Sequence, residues 1–288
     1  VNNLITISKL VPLTLFIAIG IFFINEANFT PVFPQDTYVD GSFAQAAVLL
    51  FFAYTGFEVI AIAAEDMKNP KKNLPRAIIM CMLLVSVLYM AILAVSIGVL
   101  GSDLANTKAP VQDAFNVIVG PIGMYVVLVG TLISMGGINF AEAYYAPRVA
   151  TSMAEDGMLP SALAKRNRYN APYVAAIVTA IASVLLAWSG SFTTLAAISA
   201  VSRFTQYLPT CLAVIIFRRK WADKTRSYTI PGGYLIPVIA IGTSLWMLAQ
   251  AQTNQLLWGL GGCIVILPFY YSYWKKKKAG LIKDHDEM

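Results

Sequence analysis

Lys9, Glu58 and Arg203 are charged residues set inside otherwise apolar stretches. Of these, Glu58 has the most suggestive surroundings, in the run Phe51-Phe52-Ala53-Tyr54-Thr55-Gly56-Phe57-Glu58. A carboxylate at the centre of a lipid bilayer costs roughly 2.5–3.5 kcal/mol on insertion scales, so Glu58 has to face a protein interior or water. Two residues earlier stands Gly56, and glycine inside a helix costs about 1 kcal/mol relative to alanine. One reading is a packing glycine that lets two helices approach. The other is a broken helix, whose freed carbonyls and N–H groups can hold a ligand. A zwitterion suits such a break: its ammonium takes backbone carbonyls and its carboxylate takes N–H groups at a half-helix N-terminus.

Lys9 lies about one turn inside its apolar stretch, roughly 6–8 Å from the start at 1.5 Å per residue. It either snorkels to the membrane surface or stays in the bundle, where it could exchange a proton. Arg203 is deeper, and Ser199, Ser202, Thr205, Gln206 and Tyr207 give its helix a polar face. A structural ion pair with Glu58 or Glu142 and a role in gating or substrate contact are both open. Ser134, Gly136, Gly137 and Asn139 put small and polar groups in one stretch, either to line a cavity or to allow close packing. Cys81, Cys211 and Cys263 lie in apolar runs, and the single histidine, His285, lies in the polar tail. No metal site, disulfide framework, cofactor or Cys-His nucleophile is expected from these.

The elements that carry these residues are set by composition. Of the 288 residues 58% are hydrophobic and 12% charged, about half the charged share of a soluble domain. Eight apolar runs are long enough to cross a hydrocarbon core as helices. They cover approximately 5–24, 43–64, 77–100, 122–143, 172–188, 192–217, 235–251 and 256–274. The expected fold class is therefore an all-α membrane protein, with residues 1–288 forming one transmembrane domain. A short helix is expected at 111–119, Pro75 is expected in the first turn of the third span, and Ser189-Gly190-Ser191 must close an antiparallel hairpin.

The net charge of +6 is a topology signal. Apart from Lys9, Lys108 and Arg203, the Lys and Arg residues lie in every second connection and in the tail 275–288, while Glu26, Asp36, Asp40, Asp103 and Asp113 occupy the other connections. Basic connections stay in the cytoplasm, so both ends are expected inside and no nucleic-acid partner is implied. Tyr270, Tyr271, Tyr273 and Trp274, followed by Lys275–Lys278, suit anchoring at a membrane lipid surface. The start at Val1, with Asn2-Asn3 reading as the end of a cytoplasmic loop, suggests that earlier spans are missing.

At these residues the sequence resembles the amino acid–polyamine–organocation (APC) superfamily, in particular its bacterial amino acid permeases. The stretch FFAYTGFEVIAIAAEDMKNPKKNLPR (51–76) resembles that family's sixth span and the following loop, APRVATSMAEDGMLPSALAKRNRYNAP (146–172) the loop after the eighth, and IPGGYLIP (230–237) the entry to the eleventh. The resemblance implies a leucine-transporter-like fold of two inverted five-helix repeats with two further helices. This chain would supply spans five to twelve and lack the first four. The same resemblance implies that the carbonyls of Phe52, Ala53 and Thr55 bind the substrate amino group beside Gly56, and that Phe57 is an aromatic gate. Lys9 matches a lysine that serves proton coupling, whereas Arg203 departs from the family pattern. Glu58, Ser134, Asn139 and Arg203 are candidates for the cavity or gate. The implied activity is secondary transport of an amino acid, with protons, across the plasma membrane. An exchanger, a polyamine carrier, or a membrane enzyme or sensor are the alternatives, the enzyme disfavoured because no catalytic groups converge within the spans.

Overall fold

The computed structural model describes residues 2–30, 41–58, 60, 67–221, 226 and 228–278. Expectations for the loop 31–40, for the second apolar run over 61–64, for Lys224 and for the tail beyond residue 278 lie outside the described residues, as does the side chain of Cys263. Among the described residues there is no strand, and the chain forms nine α-helices. They are α1 Asn2–Gly20, α2 Ser42–Ala53, α3 Pro70–Leu100, α4 Pro110–Val119, α5 Pro121–Glu155, α6 Tyr173–Ser189, α7 Phe192–Lys220, α8 Leu235–Gln250 and α9 Thr253–Lys278. Among the described residues five stretches, built on α1, α3, α5, α7 and α9, are long and apolar enough to cross a membrane, and α2, α6 and α8 are shorter apolar helices. This is an all-α, multi-pass membrane architecture.

The described helices fall into two compact units. The first comprises Val1–Tyr38 and Ile79–Tyr144. Its core is Phe16, Val95, Ala114, Phe115 and Val127, with Phe16 set edge-on to Phe115 at 5.6 Å. Glycines bring α1 close to its neighbours. A Cβ on Gly20 would lie 2.3 Å from Val95 Cγ1, and one on Gly130 would lie 2.5 Å from Pro12 Cγ. No real side chain fits at such distances, so these glycines permit backbone approach, as small residues do between membrane helices. The chain leaving α1 is tied to α3 by Asn25 N–H and Asn28 Nδ2, which both donate to the Gly98 carbonyl, at 3.0 and 2.7 Å.

The second unit comprises Val39–Ile78 and Tyr145–Met288. Its centre is α7, on which α2, α8 and α9 all pack. Val48 of α2 meets Ala197 and Ala200 of α7, flanked by Phe51, Phe52 and Met247. Ser191 opens α7 by accepting a hydrogen bond from Thr194 N–H, which satisfies one of the donors that a helix start leaves unpaired. Only Gly190 separates α6 from that cap. After α5, Gly157 takes φ +78° and Met158 N–H donates back to the Met153 carbonyl at 2.9 Å, a left-handed helix stop that glycine accommodates.

Helix α3 starts earlier than its hydropathy suggests. Pro70 is its first residue and Pro75 lies inside it. Asn69, at φ +51°, turns the chain into the helix and its carbonyl accepts from Lys72 and Asn73. The first turn is thus built on Pro70, whose fixed φ and missing N–H suit that position.

Candidate functional site

Helix α2 stops at Ala53, in the middle of the second apolar run, and Tyr54–Glu58 follow as turns. Tyr54 N–H donates to Phe51 O and Thr55 N–H to Phe52 O, both at 3.0 Å, so the last turn tightens from the α to the 3-10 pattern before the chain unwinds. Gly56 has φ +107°, which L side chains rarely adopt. A Cβ there would meet nothing within 4 Å. Gly56 therefore serves the backbone turn, in contrast to Gly20 and Gly130, which serve close approach.

Phe52 O accepts both Thr55 N–H and Thr55 Oγ1, the latter at 2.7 Å, which fills the two acceptor positions of a carbonyl oxygen. Ala53 is exposed at the end of α2, while Thr55 and Phe57 are half-buried. Phe57 stacks on Tyr207 with ring centroids 5.9 Å apart.

Glu58 folds back over this turn. Its Oε2 accepts from Gly56 N–H at 2.7 Å, and its Oε1 accepts from the Tyr207 hydroxyl. Arg203 Nη1 stands 3.7 Å from the same Oε1. Arg203 thus meets Glu58, one of the two partners that the sequence left open for it. The Glu58 side chain is 14% exposed and that of Arg203 38%. Sequence reasoning passed over Tyr207 as one of several polar neighbours. Its spacing of four from Arg203 puts both on one helix face, and that is the signal that could have singled it out.

In the first unit, Lys9 is half-buried in α1 and lines a cavity of about 350 Å³ together with Tyr89, Thr131 and Ser134 on an otherwise apolar wall. Among the described residues no carboxylate pairs with Lys9. Ser134 thus shares a cavity with Lys9, whereas Asn139, on the same helix, is exposed. No group of His, Cys, Asp and Glu able to hold a metal occurs among the described residues.

Comparison with known proteins matches residues 1–273 to a family profile described as amino acid permease. The chain is 29% identical over 283 residues to the branched-chain amino acid permease BcaP of Bacillus subtilis (strain 168), covering 96% of this chain and 59% of that protein. It is 29% identical over 280 residues to the methylthioribose transporter of the same strain, at the same coverages. It is also 29% identical over 287 residues to that strain's serine/threonine exchanger SteT, covering 97% of this chain and 65% of the exchanger. The chain spans about three fifths of the length of these curated relatives.

Proposed function

The chain belongs to the amino acid permease family, a family of transporters rather than enzymes, and from that premise we propose that it forms part of a secondary transporter that carries amino acids across the plasma membrane. The observation that supports this reading is the interruption of α2 at Ala53, followed by a turn that only Gly56 can make comfortably. Peptide groups released from a helix in an apolar setting need polar partners, and a small zwitterion supplies them. The carbonyls of Phe52, Ala53 and Thr55 take the substrate ammonium. Phe57 closes over the substrate and Gly56 leaves room for it.

Coupling to protons rests on Lys9. What supports this is its place: Lys9 shares a cavity with the hydroxyl-bearing Tyr89, Thr131 and Ser134 and, among the described residues, pairs with no carboxylate. In this reading residues 1–288 act as one permease domain with a cytoplasmic C-terminus, alternating access by rearranging around the break, and the remaining helices of the fold complete the substrate site. The similarity to SteT favours obligate exchange as the second reading. The deciding measurement is uptake by the full gene product across amino acids, polyamines and methylthioribose, with and without an imposed proton gradient. Gradient-dependent accumulation of an amino acid is the expected result. Accumulation only against a preloaded amino acid would establish exchange, and transport of none of the amino acids would overturn the reading.

A further inference from the structure

The Glu58 carboxylate ties two parts of the chain together, the unwound turn through Gly56 N–H and α7 through Tyr207 and Arg203. Positions 203, 204 and 207 share one face of α7, and that face holds the chain on both sides of the break. Before the break, Phe51 stacks on Phe204 at 4.7 Å and meets Tyr207 edge-on at 5.8 Å. After it, Phe57 stacks on Tyr207 and Glu58 takes its two α7 partners. The grips are not equally tight. A distance of 2.7 Å between Gly56 N and Glu58 Oε2 is that of a charge-assisted hydrogen bond. The 3.7 Å between Arg203 and Glu58 is beyond hydrogen-bond length, although Coulomb attraction persists there. The guanidinium carries five N–H donors and is the more exposed partner.

We infer that Glu58, Tyr207 and Arg203 form a latch that positions the unwound segment for substrate, with Arg203 its releasable member. Arg203 is a positioning residue: it acts on the Gly56 amide through the Glu58 carboxylate. Tyr207 and the stacked rings hold the segment near α7 throughout. The charge pair sets how firmly the turn is fixed, and hence how ready its carbonyls are to receive an ammonium group. This role rests on the transport reading for the identity of the ligand, but the latch itself can be tested without it.

The test uses the full gene product in membrane vesicles, with Cys81, Cys211, Cys263 and any cysteine outside residues 1–288 replaced by alanine and Ala53→Cys as the reporter. The rate of labelling by a methanethiosulfonate reagent reads the freedom of the turn. Arg203→Met should raise that rate roughly tenfold and raise the uptake KM by a similar factor with a smaller change in maximal rate, as expected when a charged contact is lost before the rate-limiting step. Arg203→Lys should restore part of both, and Tyr207→Phe, which keeps the ring, should reproduce the Met effect in part. A purely structural ion pair would change protein yield and leave KM and labelling as they were. Unchanged labelling and KM in both Arg203→Met and Tyr207→Phe would overturn the latch while leaving the transport reading intact. Faster labelling in Arg203→Met, in a parent that moves no amino acid, would support the latch and remove the transport reading.

Discussion

Lys9 and Glu58 are each a single charge within an apolar helical stretch, yet their surroundings are opposite. Glu58 is gripped by a backbone amide, a phenol and a guanidinium. Lys9 lines a cavity with hydroxyl groups on its wall and, among the described residues, no carboxylate partner. A buried charge satisfied on several sides is costly to disturb and fixes local geometry. The contrast frames the two tasks proposed for them, holding a broken helix in place and coupling to protons, and each can be challenged alone.

The largest effect is expected at the break. Gly56→Leu forces a side chain into a φ of +107° and fills the space beside the carbonyls of the turn. Uptake should fall to background while the protein still reaches the membrane. Normal uptake by this variant would mean that the turn has no part in the substrate path. Next comes Lys9→Ala, which should abolish uptake driven by a proton gradient and preserve substrate binding. If the pH dependence of transport were the same in this variant as in the parent, Lys9 would have no role in coupling.

A smaller effect should separate the two charges by stability. Glu58→Gln weakens three contacts at once and should cost about 1–3 kcal/mol, a loss of several degrees in the melting temperature. Lys9→Met removes a charge that, among the described residues, pairs with no carboxylate and adds apolar contact to the cavity wall, so it should melt no lower than the parent. Stability given up at a functional position is the usual trade. Thermal scans in detergent compare the two, and a larger loss for Lys9→Met than for Glu58→Gln would reverse the assignment.

Much of this arrangement could be read from the residues. Apolar runs and alternating charge were enough for an all-α membrane fold, because lipid leaves the backbone few options. The position of the break was legible because Gly56 stands two residues before a carboxylate in a hydrophobic stretch. What stayed hidden needed three-dimensional contact. Arg203 had two candidate partners, and hydropathy does not say which helix faces it. The start of α3 was misplaced because Lys71, Lys72 and Arg76 lower the hydropathy of a segment that is helical all the same. Only the folded turn reveals that the Thr55 hydroxyl donates to the Phe52 carbonyl.

The smallest expected effect concerns glycines that look alike in sequence. Gly130 and Gly136 both lie in α5 and both satisfy the small-residue pattern of membrane helix packing. A Cβ on Gly130 would stand 2.5 Å from the Pro12 ring, close to the Lys9 cavity, whereas one on Gly136 meets nothing within 4 Å. Gly130→Ala must push α1 outward and should cost about 1–3 kcal/mol, the usual penalty of overpacking. Gly136→Ala should be neutral or stabilise by up to about 1 kcal/mol, since alanine is the better helix former. Melting temperatures of the two variants measure the difference. A loss at Gly136 as large as that at Gly130 would mean that another part of the intact protein packs on this side of α5. That contact would also reach the helix that carries Ser134, and so would bear on how closed the Lys9 cavity becomes.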